Sequence, residues 1–363
     1  MDLAAWIEHW GEPVVLALAG LVVGLGFGFF AQRSRFCLRG AVIDFWHGRF
    51  GEKLAVWLLA FASAVVAVQV LVLAGALDVG TARQLAARGS LSGALVGGLV
   101  FGVGMVLTRG CASRLLVLSA NGNLRALLAG LVFAVAAQAS GWGLLAPLRE
   151  HIAGWWVVEG GASRSLLALV GAGPRDGLVA GLVWAAVALF FAHRTGGGLW
   201  KWVGGIGTGL MVALAWWSGY QVMTHSFEPV QIQGITFSGP SAEWLMRVLA
   251  GPQGPWTFAL GLLPGVFLGS LAGALVGGDW RIETFGPGYS VPRYLTGAVL
   301  MGFGSMLAGG CAVGAGMTGG AIFAVTAWLT LVGMWLGGGL ADRLIDGPDA
   351  RTVAVPRTSA ALP

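Results

Sequence analysis

The chain has 363 residues, of which 56% are hydrophobic and only 10% charged. A soluble domain carries about 25% charged residues, so no soluble fold covers this much apolar surface. The net charge of +5 comes from basic residues spread between apolar runs, which excludes a nucleic-acid patch. Apolar runs of span length recur along the chain and predict an all-α polytopic membrane protein. The 62 glycines fit, because small residues let transmembrane helices approach closely.

Spans are expected at about 13–31, 54–77, 91–108, 125–146, 175–192, 199–218, 257–277, 293–308 and 320–341, roughly nine in all. Before the first stand Asp2, Glu8 and Glu12 with no early Lys or Arg. A cleavable signal starts with basic residues, so this run is expected to be a true span. It leads into Arg35-Phe36-Cys37-Leu38-Arg39-Gly40. Two of the spans are short and run into Gly-Cys turns, which reads as broken or re-entrant helices. The connection from about Gly219 to Pro255 is long for a loop. It either folds over the outer mouth or is a passive surface segment. Residues 343–363 are rich in Pro and Ala and are expected to be a disordered cytoplasmic tail. The remainder, 1–342, is expected to be one transmembrane transport domain.

With the N-terminus outside, the inner segments hold 15 basic residues and the outer ones 6, the latter being Arg83, Arg88, Arg149, Arg164, Arg175 and Arg247. Cytoplasmic loops are the basic ones, so the N-terminus is expected outside and the C-terminus inside.

A repeat is visible. Gly97, Gly102, Gly104, Leu107, Gly110, Cys111 and Ala112 align with Gly297, Gly302, Gly304, Leu307, Gly310, Cys311 and Ala312. In the span order these copies are the third and eighth crossings, an odd offset, so they run in opposite directions. Such an inverted-topology repeat is typical of transporters. The pseudo-repeats cover roughly 13–146 and 257–341, with 175–218 linking them. A weaker echo pairs Gly20, Gly24 and Gly28 with Gly261, Gly265 and Gly269. The first echo is followed by Cys37, the second by Arg281 with no thiol.

Three cysteines with no CxxC spacing give neither a disulfide framework nor a zinc cluster. The five histidines are scattered without metal-ligand spacing, so no metal site is expected. No Walker A sequence is present, and no carboxylate falls at the centre of an expected span, where a proton pump keeps one. Gln69 and Gln138 are the polar side chains inside spans and are expected to bond between helices.

A Gly-Cys step at the end of a short apolar run has a physical logic. Glycine lets a helix stop, and the break leaves free N–H groups that attract anions. Irregular backbone at that depth must line a cavity or be buried in protein. A thiol there adds a weak, polarizable donor that suits a soft, sulfur-bearing anion. Cys37, Cys111 and Cys311 are therefore the candidate binding residues, supported by Gly40, Gly110 and Gly310. Arg35, Arg39, Arg109 and Arg114 lie within four positions of Cys37 or Cys111. They either draw an anion to the inner face or simply orient the protein.

The runs through Arg35–Asp44, Gly102–Arg114 and Gly302–Gly319, with Thr236-Phe237-Ser238-Gly239-Pro240, resemble the signatures of the YeeE/YedE sulfur-transport family. The resemblance extends from about Gly20 to Gly339. It implies thiosulfate uptake across a bacterial inner membrane, without enzymatic activity or cofactor, the ion passing between the thiols of Cys37, Cys111 and Cys311. It also implies a small cytoplasmic sulfurtransferase of the TusA type as a partner at the inner face. Some members of the family are linked to other sulfur or selenium species. A different class, a membrane thiol-redox protein, requires two cysteines with Cα atoms within about 7 Å.

Overall fold

Each expected span is a helix, since only a helix satisfies every backbone group of an isolated apolar segment in lipid. The computed structural model describes residues 3–226, 232–251, 254–285 and 290–347. In chain order the long or site-bearing helices are α1 (Glu12–Ser34), α2 (Leu38–Trp46), α3 (Glu52–Leu73), α4 (Leu91–Leu107), α5 (Ala112–Ala120) and α6 (Leu124–Trp142). They continue as α7 (Pro174–Thr195), α8 (Leu199–His225), α9 (Ser238–Ala250), α10 (Phe258–Gly277), α11 (Val291–Leu307) and, after a π-helix at Ala312–Thr318, α12 (Val325–Ile345). Among the described residues, seven of the resulting segments are long and apolar enough to cross a membrane, with α1–α2, α4–α5 and α11 with the π-helix each counting as one broken segment. Helices α8 and α12, of 27 and 21 residues, pack among them.

Local chemistry sets the helix starts. Ser90 Oγ accepts from Gly93 N–H at 2.7 Å, and Asn123 Oδ1 accepts from Ala126 N–H at 2.9 Å. Each bond satisfies one of the donors that a helix N-terminus leaves open.

Polar contacts gather the helix ends into two faces. On the first face, Arg35 pairs with Asp279, Asn121 bonds Gln32, Lys201 pairs with Glu52, and Arg293 pairs with Asp346. On the second, Leu91 N–H donates to Trp156 O, Leu166 N–H to Phe323 O, and Gly161 N–H to Leu85 O. A two-residue strand pairing, Gly89–Ser90 with Val157–Val158, belongs to this second face.

Two helix pairs form the centre. In α1 and α10, Gly24 lies on the backbone of Leu262, Gly265 and Val266, while Gly265 lies on Leu21 and Gly24. Positions rise together along both helices, so the pair is parallel. In α4 and α11, Gly97 backs onto Gly304 and Ala308, and Gly104 onto Gly297 and Met301. Here the numbering runs oppositely, so the pair is antiparallel. In both, backbones meet where a side chain would clash, which is how helices adhere when the surrounding solvent is itself apolar.

Four sequence expectations are sharpened or corrected. Gln69 does bond between helices, its Nε2 donating to Ala321 O at 2.8 Å. Helix α12 runs to Ile345, so Asp342 sits inside it, 1% exposed and paired with His47 at 2.5 Å. A span ending at about 341 placed this carboxylate outside. The long connection after α8 is not a passive loop: Ile232, Ile235 and Phe237 are all 1% exposed or less. The expected tail lies, for 348–363, outside the described residues, while Asp346 just before it is held by Arg293.

Candidate functional site

All three cysteines occupy the same place in the same local structure. A helix ends in a residue with left-handed backbone, one residue follows, and the cysteine then caps the next helix. The left-handed residues are Arg35 (φ 55°), Arg109 (φ 57°) and Gly309 (φ 79°). The residue after each returns its N–H to the ending helix: Phe36 to Ala31 O at 3.0 Å, Gly110 to Met105 O at 3.1 Å, and Gly310 to Ser305 O at 2.8 Å. This bond closes a helix C-terminus and turns the chain. Cys37, Cys111 and Cys311 then stand in extended conformation as N-caps of α2, α5 and the π-helix. Each thiol therefore sits among the free N–H groups of a helix start, where negative charge is favoured. The same stop recurs elsewhere without a thiol, as at Gly75 with Ala76 N–H bonded to Leu71 O and at Gly278 with Asp279 N–H bonded to Ala274 O, so what sets the three apart is the cysteine that caps the next helix.

Helix length sets the depth. Seventeen residues of α4 separate Ser90 on the second face from the break, and nine residues of α5 lead on to the first. At a rise of 1.5 Å per residue those are about 25 Å and 13 Å, so Cys111 lies between the faces, nearer the first. The antiparallel partner reverses this, and Cys311 lies nearer the second.

The thiols differ in company. Cys37 and Cys111 are close neighbours, and Cys111 also meets Ser113 Oγ at 3.4 Å. Arg114 acts on both thiols, and its Nη1 is buried with no hydrogen-bond partner. Arg39, close to Cys37, reaches Asp346 at 3.8 Å and keeps a buried, unpartnered Nε. Arg35 points outward to Asp279 at 3.5 Å, and Arg109 is exposed. Of the four arginines singled out from sequence, Arg114 and Arg39 thus face the thiols, while Arg35 and Arg109 shape the turns.

Cys311 has no arginine beside it. Residues Ala312–Thr318 are all buried and uncharged. The segment 232–237 lies across this turn as a strap: Thr318 Oγ1 donates to Ile235 O at 2.7 Å, and Trp216 Nε1 donates to Thr318 O at 3.2 Å. Gly314 admits it, because a Cβ there would collide with Thr236. Cavities of about 490 and 510 Å³ reach Gly309 and Gly314 from the second face. Sequence reasoning missed Thr318, Trp216 and the strap's role as a wall. The signal available was the Thr236–Pro240 run, which carried no chemistry of its own.

A family model described as Sulphur transport matches residues 33–340, from the first stop to the end region of α12. The chain is 27% identical over 354 residues to the thiosulfate transporter TsuA of Escherichia coli (strain K12), covering 89% of this chain and 92% of that protein. It is 28% identical over 337 residues to the thiosulfate transporter TsuA of Spirochaeta thermophila, covering 88% and 96%.

Proposed function

We propose a function from a plain premise: the chain belongs to the sulphur transport family, and it takes up thiosulfate across a bacterial inner membrane. The observation that carries this reading is the threefold recurrence of one stop, each time presenting a thiol on a helix start. The second face is taken as periplasmic and the first as cytoplasmic, because the basic segments concentrate on the first. The halves 13–146 and 257–341 are taken as inverted repeats, in keeping with the antiparallel packing of α4 on α11.

The ion enters from the cavities of the second face and meets Cys311. It passes to Cys111 and Cys37, where Arg114 and Arg39 draw it inward. Neutral thiols donate hydrogen bonds weakly, and conduction needs successive sites that release as readily as they bind. The N–H of Gly40 offers a donor beside Cys37 without adding bulk, while Gly110 and Gly310 spend theirs on closing the turns that set Cys111 and Cys311 in place. A small sulfurtransferase of the TusA type is the partner proposed for the first face.

Uptake of radiolabelled thiosulfate into proteoliposomes, against selenite, sulfite and sulfate, tests the reading. Cys→Ala at each of the three positions should abolish uptake while the protein stays folded. Normal uptake by all three single variants would end the relay. The adjacency of Cys37 and Cys111 favours one rival, a thiol-redox protein cycling through a disulfide. That rival predicts a mass loss of two hydrogens in an intermediate that wild-type turnover requires.

A further inference from the structure

Five arginines line the second-face cavities, Arg83, Arg88, Arg149, Arg164 and Arg247, and three of them engage a carboxylate or a pair of carbonyls. Arg88 pairs with Glu159 at 3.0 Å, and Arg149 with Glu150 at 3.0 Å. Arg247 donates to Gly254 O and Pro255 O and lies over the Trp256 ring. Glu243, the carboxylate lining the 490 Å³ cavity, accepts from Thr257 Oγ1 at 2.9 Å.

Arg164 is different. It is 6% exposed, and its Nη1 and Nη2 are used on Ala87 O at 2.6 Å and Thr326 Oγ1 at 2.7 Å, both neutral. Its Nε is buried with no partner, as is that of Arg149, and both residues line the 510 Å³ cavity, but Arg149 has a carboxylate for its charge and Arg164 has none among its bonds. Arg83 lines the same cavity and is exposed, and its side chain has no hydrogen bond or ion pair among the described residues. Burial, and then the like charge of Arg83, push the Arg164 guanidinium below its ordinary value. Arg164 and Arg83 both line the 510 Å³ cavity, whose lining holds no carboxylate, Glu243 lying on the 490 Å³ cavity that Arg83 also reaches, and two like charges so placed are completed by an anion.

We propose that Arg164 and Arg83 form a recruiting site for a small tetrahedral oxyanion dianion, placed before Cys311 on the route. The inference rests on the transport reading above. A guanidinium pair recognises the charge and the oxygens that thiosulfate and sulfate share. The arginines therefore set capture, and discrimination between those ions falls to the thiols behind them. Gly309 and Gly314, on the wall of the same cavity, connect the site to the Cys311 turn.

The test compares wild type with R83Q and R164K in proteoliposomes. Arg83 holds no contact that the fold needs, so R83Q should stay folded, raise the thiosulfate KM about tenfold, the equivalent of ~1.4 kcal/mol, and leave the maximal rate unchanged. Competitive inhibition by sulfate should weaken in parallel, and the KM should lose part of its salt dependence. R164K keeps the charge but not the planar fork, and should raise KM less than R83Q does. Calorimetry with sulfate separates this site from transport itself. C311A should still bind sulfate, and C311A/R83Q should bind it about tenfold more weakly. An unchanged KM in R83Q, or loss of sulfate binding in C311A, would overturn the site. Absence of thiosulfate uptake by wild type, with R83-dependent sulfate binding intact, would instead overturn the transport reading and leave the site standing.

Discussion

The breaks at Cys111 and Cys311 share a backbone and differ in everything placed around it. Both follow a 17-residue helix, both close with the same returning hydrogen bond, and both set a buried cysteine at a helix start. At Cys111 the helix that follows is α-helical, a second thiol is adjacent, and Arg114 supplies a positive charge with a free donor. At Cys311 the continuation is a π-helix of small residues, the neighbours are neutral, and a strap crosses the turn. A repeated scaffold thus carries unequal electrostatics: a weak neutral site toward one face and a charged site toward the other. In the proposed relay, such unequal sites would follow one another without a deep well at either step.

The largest expected effect comes from removing the charge on the stronger side. Arg114→Met keeps much of the packing volume and takes away the guanidinium beside both thiols. Uptake should fall at least about tenfold, since a charge-assisted hydrogen bond in a dry site contributes about 1.5–3 kcal/mol. Retained uptake in a proteoliposome assay would show that the two breaks are electrostatically equivalent after all.

The converse substitution, Gly309→Arg, gives the Cys311 turn the residue that its counterpart already holds in left-handed conformation. The backbone cost is about 1–2 kcal/mol for a non-glycine residue in that region. Because an arginine at this place shapes the turn and is exposed, as Arg109 is, the thermal midpoint should fall while thiosulfate affinity stays near that of wild type. A several-fold change in affinity would show that the turn residue acts on the thiol after all.

Thr318→Val severs the strap from the Cys311 turn and leaves the Cys111 side untouched. Loss of a buried hydrogen bond should lower stability by about 1 kcal/mol, read as a lower thermal midpoint. Alkylation of Cys311, followed by mass spectrometry, should accelerate relative to that of Cys111. Equal acceleration at both would mean that the strap does not act locally.

The smallest effect concerns the ion pairs that tune Arg39. Asp346 accepts from Arg293 at 2.7 Å, and that bond, with Arg39 nearby, holds its carboxyl below the ordinary range. Because the folded value lies below the unfolded one, near 3.9, its stabilising contribution is complete above that value. The contribution disappears as pH falls through the lower, folded value. Wild type should therefore lose more thermal stability than Asp346→Asn between about pH 5 and pH 2, and the two should differ little in pH response above that window.

Much of this molecule was legible in the chain. Each expected span is a helix, because an 18-residue apolar run has one way to bury its backbone in lipid. The three cysteines announced themselves through the glycine or arginine before each, and the repeat through seven identities around two of them. Less legible were the roles of neighbours. Arg35, Arg39, Arg109 and Arg114 look alike by distance along the chain, yet two close turns and two face thiols, since a left-handed turn sends successive side chains in different directions. Asp342 was hidden by four residues of helix beyond the apolar run.

What the sequence determined alone was the set of membrane-length helices and the places where they break, both local consequences of hydropathy and backbone freedom. The tertiary structure decided which broken ends meet, that Cys37 joins Cys111 and not Cys311, and that a strap from residues 232–237 walls the remaining thiol. The reason is physical: glycine-lined helices pack in whatever register lets their backbones touch, and that register is a property of two surfaces together, which neither segment encodes by itself.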